Sequence, residues 1–131
     1  MSEDELESIR QEKREAIVEN AAAPDAPDEP IHVGSVEEFS TVTTDHGVVL
    51  VDFYADWCGP CNMLEPVVES VAANTEAAVA KVDIDEHQGL ASQYGVRSVP
   101  TLVLFADGEQ VEQVVGMQDE AALTRLVDRY A

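Results

Sequence analysis

The pattern of apolar and polar positions divides the chain into two parts near Pro30. Residues 3–20 predict a helix with apolar side chains roughly on one face, which Lys13 interrupts. Residues 21–30, AAAPDAPDEP, are rich in proline, alanine and aspartate, which predicts an extended linker. The pattern changes from Ile31 onward. The sequence therefore predicts a charged N-terminal extension, residues 1–30, followed by one folded domain, residues 31–131.

Residues 31–131 predict the element order β-α-β-α-β-α-β-β-α. Val48–Tyr54 is an almost unbroken apolar run of strand-forming residues, typical of a central strand covered on both faces. Ser35 and Glu38 form a capping box for the first helix, and apolar spacing predicts the second helix from Cys58 to Ala73. The other predicted elements are strands at 31–33, 78–84, 101–105 and 111–115, and helices at 87–94 and after Asp119. This order favours a parallel core with helices on both faces, closed by an antiparallel hairpin at Asp107-Gly108.

The chain is strongly acidic, and this changes the list of plausible partners. It carries 27 acidic and 7 basic residues, for a net charge of −20, and its only lysines are Lys13 and Lys81. Such a surface repels nucleic acid and anionic membranes, so neither is expected as the main partner. A solvated acidic coat is one interpretation. The favoured one is adaptation to concentrated salt, where carboxylates keep a protein hydrated.

The location of the protein is predicted from segments that the sequence lacks. No stretch has the length of a membrane-spanning helix, and the charged N-terminus has no apolar core like that of a secretory signal. We therefore expect a cytoplasmic protein. In such a reducing compartment a cysteine pair is more often catalytic, redox-sensing or metal-binding than structural.

Both cysteines lie in the stretch VDFYADWCGPC, residues 51–61. A structural zinc site needs four ligands, but there is no second cysteine pair and the histidines are not paired at ligand spacing. A structural disulfide closing so short a loop removes little chain entropy, on the order of 2 kcal/mol. A redox dithiol is favoured, because the strand-to-helix junction puts Cys58 at a helix N-terminus, where N–H groups and the helix dipole stabilise a thiolate.

A redox dithiol also predicts a role for the acidic residue before it. Cys58 would attack a substrate disulfide, and Cys61 would then attack Cys58 to release the product. Cys61 is expected to be the more buried thiol, so it needs a base to remove its proton. Asp52 shares a strand face with apolar residues, and burial should raise the pKa of this carboxyl enough for it to serve as that base. The alternative is a buried acid that is satisfied by hydrogen bonds or by pairing with Lys81.

Residues 31–131 resemble the thioredoxin family over essentially their full length. The resemblance rests on WCGPC at 57–61 within VDFYADWCGPC, and on VAKVDID, YGVRSVPTLVLF, and DGE followed by VVG. It implies an α/β thioredoxin fold, with a central mixed β-sheet flanked by helices on both faces. It also implies a dithiol–disulfide oxidoreductase that reduces protein disulfides through a mixed disulfide and maintains cell redox homeostasis.

The resemblance implies a role for each matching residue. Cys58 matches the nucleophile, Cys61 the resolving thiol, Asp52 the buried acid and Lys81 the lysine near it. Val99-Pro100 matches the cis-proline of the family, although the sequence does not fix the isomer. The apolar rim where substrate docks is matched by Trp57, Gly59, Pro60, Val99, Pro100, Gly116 and Met117. Ordinary packing is the alternative for Val99 and Met117, and a turn is the alternative for Gly116.

The chain also departs from the family pattern, and other functions stay open. Tyr54 stands where tryptophan is common, and Asn62 where a lysine often follows the second cysteine. The family implies no bound cofactor and no metal, a redox-active Cys58–Cys61 disulfide, a thioredoxin reductase and disulfide clients as partners, and a monomer. The acid-rich, lysine-poor surface is similar to that of thioredoxins from halophilic archaea. A thiol oxidase or isomerase on this fold, and an interaction module with an incidental dithiol, are the alternatives.

The charge predicts that stability depends on salt. The melting temperature should rise from low to multimolar salt, because the Debye length falls to about 3 Å at 1 M and the repulsion between carboxylates is screened. Thermal unfolding followed by circular dichroism across a salt series measures this. Equal melting temperatures at both ends of the series would contradict the proposed adaptation.

Overall fold

The structure, a computed structural model, describes residues 26–131. The helix predicted at 3–20 and the first half of the predicted linker, 21–25, lie outside the described residues. Residues 26–30 form neither helix nor strand, and Ala26 packs against the apolar core of the domain. The contact of Ala26 means that the last part of the predicted linker lies against the domain.

The elements follow the predicted order. Each element predicted for residues 31–131 is present, and its ends differ by at most two residues from those expected. They are β1 (Ile31–His32), α1 (Val36–Asp45), β2 (Val48–Tyr54), α2 (Gly59–Asn74), β3 (Ala78–Asp83), α3 (Gln88–Gln93), β4 (Thr101–Ala106), β5 (Glu109–Val115) and α4 (Glu120–Asp128).

Local chemistry explains where several of these elements begin and end. The Ser35 hydroxyl accepts the Glu38 N–H at 3.0 Å, as the capping box predicts, while the Glu38 carboxylate accepts from Gly34 at 2.7 Å. Asp107 and Gly108 both have positive φ, 52° and 84°, as in the turns that favour two-residue hairpins. Because this turn is so tight, β5 begins at Glu109, two residues earlier than predicted.

The five strands form one mixed sheet in the order β1-β3-β2-β4-β5. β3 pairs in parallel with both β1 and β2, whereas β4 is antiparallel to β2 and to β5. The predicted fold class, a parallel core with a C-terminal antiparallel hairpin, is confirmed. No helix within residues 26–131 is long and apolar enough to cross a bilayer.

β2 lies at the centre of the sheet and contributes to an apolar cluster on each face. Leu50 packs in the cluster that includes side chains of α2 and α4, and Val51 and Phe53 pack in the cluster that includes Phe39 of α1. All three β2 side chains are fully buried. A strand covered on both faces cannot solvate a polar side chain, and this sets the environment of Asp52 at its centre.

Candidate active site

The two cysteines lie at the junction between β2 and α2. Cys58 is the N-cap of α2, and its Sγ accepts a hydrogen bond from the Cys61 N–H at 3.1 Å. A disulfide joins Cys58 to Cys61, with their Cα atoms 5.2 Å apart. Pro60 fits between them because the N–H groups of a first helical turn have no partner within the helix. The predicted placement of the sulfur at a helix start is therefore present in the structure.

This placement favours negative charge on Cys58 once the disulfide is reduced. The free N–H groups and the positive end of the helix dipole stabilise a thiolate at the N-cap. The two cysteines are almost equally covered, with relative exposures of 4% for Cys58 and 2% for Cys61. The two cysteines therefore differ in burial less than the sequence predicted. The main difference between them is the position of Cys58 Sγ at the helix N-terminus.

The start of β4 and the end of β5 meet beside the disulfide. Cys58 Sγ lies 3.7 Å from the carbonyl oxygen of Val99, and the Val99–Pro100 peptide bond is cis. Gly116 donates its N–H to the Pro100 carbonyl at 2.8 Å and has a φ of +95°, a conformation that glycine adopts readily. Val99, Pro100 and Gly116, predicted from separate stretches of sequence, thus form one backbone wall next to the sulfurs.

Exposed apolar side chains surround this wall. Trp57 is 70% exposed, and Met117, which follows Gly116, is also exposed. The Trp57 Nε1–H donates to Asp85 Oδ2 at 2.9 Å, which restrains the ring despite its exposure. Gly59 and Pro60 are exposed as well, and neither places a long side chain beside the Cys58–Cys61 pair.

Asp52 is fully buried beneath α2. It lies on β2 between Lys81 of β3 and Leu102 of β4, and both carboxylate oxygens lack a hydrogen-bond partner within residues 26–131. Burial raises the pKa of Asp52 from 3.8 to about 6, while Lys81 lowers this pKa and Glu65 raises it. A carboxyl with this pKa is ionised at neutral pH and has the proton affinity of a general base.

Lys81 is shared between two carboxylates. Its side chain is 2% exposed, and its Nζ lies 3.8 Å from Asp52 Oδ2, an ion-pair distance beyond hydrogen-bond length. The same Nζ hydrogen-bonds Glu65 Oε1 on α2 and lies 4.3 Å from the ring centroid of Tyr54. Of the two alternatives for Asp52, pairing with Lys81 is present at long range, and satisfaction by hydrogen bonds within the described chain is not.

Tyr54 is not a competing base at this site. Burial, followed by the negative charges of Asp83, Asp56, Glu86 and Glu65, raises the pKa of Tyr54 to about 12. Its hydroxyl keeps its proton at physiological pH. The contribution of Tyr54 is therefore the face of its ring, against which the Lys81 ammonium packs.

Sequence reasoning missed two residues that the structure adds to the site. Glu65 follows Cys61 by four residues on α2, and this spacing alone puts the two side chains on the same face of the helix. Asp85 follows the end of β3, at the same sheet edge from which α2 begins. The spacing from Cys61 could have identified Glu65. No local pattern pairs Asp85 with Trp57, because 28 residues separate them.

No group of three or more His, Cys, Asp or Glu side chains within residues 26–131 is arranged to hold a metal ion.

Comparison with known proteins identifies the family. A family model described as thioredoxin matches residues 30–129. The chain belongs to the thioredoxin family. It is 47% identical to a thioredoxin of Chlamydia caviae over 102 residues, 77% of this chain and 99% of that protein. A mutant thioredoxin from Halobacterium salinarum NRC-1 has 66% identity and a TM-score of 0.79, covering 82% of this chain and 95% of that one. A Plasmodium falciparum thioredoxin has 32% identity and a TM-score of 0.69, covering 77% of this chain and 99% of that one.

Membership of the family fixes the general chemistry. Thioredoxins are thiol–disulfide oxidoreductases that use a redox-active cysteine pair and have no bound cofactor. A reductase and disulfide-containing clients are their general kind of partner. The Cys58–Cys61 disulfide is the corresponding pair in this chain.

Burial of Asp52 predicts a pH-dependent cost in stability. Because the pKa of Asp52 is about 6 in the folded protein and 3.8 in the unfolded chain, the folded protein keeps this proton up to a higher pH than the unfolded chain does. Its favourable contribution is complete below pH 3.8 and is lost as pH rises through about 6. At about 1.4 kcal/mol per pKa unit, ionised Asp52 costs about 3 kcal/mol at pH 8. The difference in unfolding free energy between Asp52→Asn and wild type should therefore shift in favour of the variant by about 3 kcal/mol as the pH rises from 3.5 to 8.

Denaturant unfolding of both oxidised proteins in constant molar salt, from pH 3.5 to pH 8, measures this difference. Asp128→Asn, at an exposed position at the end of α4, is the matched control. Because this carboxylate is hydrated, its replacement should change stability far less than Asp52→Asn does. A stability difference for Asp52→Asn that does not grow with pH would contradict the inferred cost.

Proposed function

We propose that this protein of the thioredoxin family reduces disulfides in client proteins and thereby maintains redox homeostasis in the cytoplasm. The observation that carries the proposal is the position of Cys58 Sγ at the N-cap of α2, bonded to Cys61 within the same turn. A sulfur there is activated as a thiolate, and it has an internal partner that can complete the exchange.

The first step is attack by the Cys58 thiolate on a client disulfide. A bond forms between Cys58 Sγ and one client sulfur, and the client disulfide breaks. The departing client sulfur leaves as a thiolate and takes a proton from solvent. The product is a mixed disulfide in which the Cys61 thiol still holds its proton.

The second step releases the client. Asp52 takes the proton of Cys61, and the Cys61 thiolate attacks Cys58 Sγ. The Cys58–Cys61 bond forms as the bond to the client breaks, and the second client sulfur leaves as a thiolate. Two electrons have then passed from the dithiol to the client. The cover of Asp52 by α2 and its pKa of about 6 support its role as base, and Lys81 limits the cost of its charge.

The rim around the disulfide supports docking of a client chain. Residues whose side chains or backbone are presented there are Trp57, Gly59, Pro60, Val99, Pro100, Gly116 and Met117. Trp57 and Met117 offer exposed apolar surface, while the wall at Val99 and Pro100 offers backbone atoms to an extended segment. We infer that the rim recognises an exposed disulfide together with the chain next to it.

The setting of the reaction follows from the charge and the family. A thioredoxin reductase would return the Cys58–Cys61 disulfide to the dithiol. The net charge of −20 and the likeness to the Halobacterium salinarum protein support work in concentrated salt. The protein is proposed to work there as a monomer. Residues 1–30 are proposed to form an extension of the catalytic domain, whose last part lies against the domain at Ala26.

The redox proposal predicts different outcomes for the two cysteines. In molar salt the reduced protein should reduce a disulfide-bonded test protein, and Cys58→Ser should abolish this. Cys61→Ser should instead accumulate a covalent complex through Cys58, seen on a non-reducing gel and removed by dithiothreitol. A complex that forms equally with Cys58→Ser would contradict the assigned order of attack.

The two alternative functions give other results in the same assays. An oxidase or isomerase would have a reduction potential well above that of the reductive members of the family, so that its disulfide form oxidises reduced proteins. An interaction module would keep its cellular role when both cysteines are replaced by serine. Either result would overturn the proposal.

The proposed base predicts a defect confined to the release step. Asp52→Asn should leave formation of the mixed disulfide unchanged and slow its resolution by roughly 10²-fold at pH 7, the low end of general-base contributions. Stopped-flow tryptophan fluorescence from Trp57, the single tryptophan of the chain, follows both steps. Resolution kinetics that match wild type from pH 5 to pH 8 would remove Asp52 from the mechanism.

A further inference from the structure

Glu65 occupies a position from which it can control the buried acid without touching the sulfurs. It lies one helical turn after Cys61 on α2, and its carboxylate hydrogen-bonds the Lys81 ammonium. Lys81 in turn lies next to Asp52. The three charged groups thus form a row from the surface to the buried carboxylate.

The three groups differ in their access to water. Asp52 is fully buried, the Lys81 side chain is 2% exposed and the Glu65 side chain is 38% exposed. Glu65 lines an open cleft of about 380 Å³ together with Asp28, Glu29, Pro30, His32 and Glu69. Only Glu65 among the three is therefore partly hydrated, and its charge costs less to keep than that of Asp52.

One cation serves two carboxylates in this row. The Lys81 Nζ takes Glu65 as its hydrogen-bond partner and stays 3.8 Å from Asp52, whose oxygens have no hydrogen-bond partner among residues 26–131. Lys81 and Glu65 together are neutral, so an ionised Asp52 adds an unbalanced negative charge to the interior. Protonated Asp52 removes that charge.

We propose that Glu65 is a positioning residue of the active site: by holding the Lys81 ammonium, it prevents full pairing of that cation with Asp52 and so sets the proton affinity of the buried carboxylate. That Glu65 also affects the rate of catalysis rests on the proposed role of Asp52 as base. Its effect on the proton affinity of Asp52 does not depend on that role.

The other groups near Asp52 do not replace Glu65 in this role. Leu102, the partner of Asp52 on β4, and the α4 side chains in the same cluster are apolar. His32 of β1, opposite Lys81 in register, is exposed, and the Tyr54 ring contacts Lys81 by its face. Asp83 shares a face of β3 with Lys81, but its carboxylate accepts the Asp85 N–H at 2.8 Å and forms no ion pair with Lys81 within the described chain. The charges that act on the pKa of Asp52 are Lys81, which lowers it, and Glu65, which raises it.

Glu65→Gln tests the proposal directly. It keeps the size of the side chain and removes the charge, so Lys81 should pair with Asp52 and stabilise its ionised form. The pH midpoint of the Asp52 carboxyl should fall by about 1 unit, the low end of shifts caused by a neighbouring charge. Carbon-detected NMR of the oxidised protein in constant molar salt measures it, with the Asp52 signal assigned by its loss in Asp52→Asn.

Glu69→Gln is the matched control. Glu69 lines the same cleft one turn further along α2, and within the described chain it has no ion pair with Lys81. The same charge change there should leave the Asp52 midpoint in place. An equal shift in both variants, or no shift in Glu65→Gln, would overturn the proposal.

Replacing Lys81 separates a direct effect of Glu65 from one that acts through the lysine. In a Lys81→Met background, Glu65→Gln should shift the Asp52 midpoint by less than half as much as it does when Lys81 is present. A shift of undiminished size would show that Glu65 acts on Asp52 directly, which overturns the positioning role.

The kinetic arm distinguishes this proposal from the proposed mechanism. In Glu65→Gln the pH midpoint for resolution of the mixed disulfide should fall together with the NMR midpoint. If Asp52→Asn resolves mixed disulfides normally, the base assignment fails, whereas the NMR shift still tests Glu65. If the NMR midpoint does not move while Asp52→Asn is slow, Glu65 is excluded and the base assignment stands.

Discussion

The interaction on which the site depends is the hydrogen bond from the Cys61 N–H to Cys58 Sγ at the start of α2. An N-cap is normally occupied by a side-chain oxygen, which satisfies one free N–H of the first turn. Sulfur in this position accepts the same hydrogen bond and also receives the positive end of the helix dipole. The strand-to-helix junction thereby couples folding to the proposed reactivity, because the group that caps the helix is also the group proposed to carry charge in the exchange.

The opposite requirement holds at the centre of β2. A fully apolar strand there would be more stable, since both faces of β2 are covered and ionised Asp52 costs about 3 kcal/mol. Natural proteins keep such locally unfavourable groups mainly at functional sites, where the raised pKa is itself useful. The environment of Asp52 is therefore better explained by proton transfer than by folding.

The fold could be predicted from sequence wherever the signal was local. The apolar run of β2, the Ser35 capping box and the Asp107-Gly108 turn each report their own conformation, and residues 31–131 follow the predicted order of elements. The site was predicted from WCGPC, whose five residues are contiguous. Contacts between distant segments could not be predicted from local patterns. The hydrogen bonds of Trp57 to Asp85 and of Lys81 to Glu65 depend on the sheet register and on the reach of long side chains.

The excess of carboxylates over lysines also holds inside the domain, where the contact between Lys81 and Glu65 lies. Lys81 is the only lysine in residues 26–131, and it lies inside the domain between two carboxylates. Charges on the surface are screened within about 3 Å at 1 M salt, but buried pairs are screened much less. Salt can therefore relieve the repulsion of the outer carboxylates while the interaction of Lys81 with Asp52 changes little. On this argument, the proposed adaptation of the surface to concentrated salt is compatible, in one small domain, with a proposed proton-transfer site that is insensitive to salt.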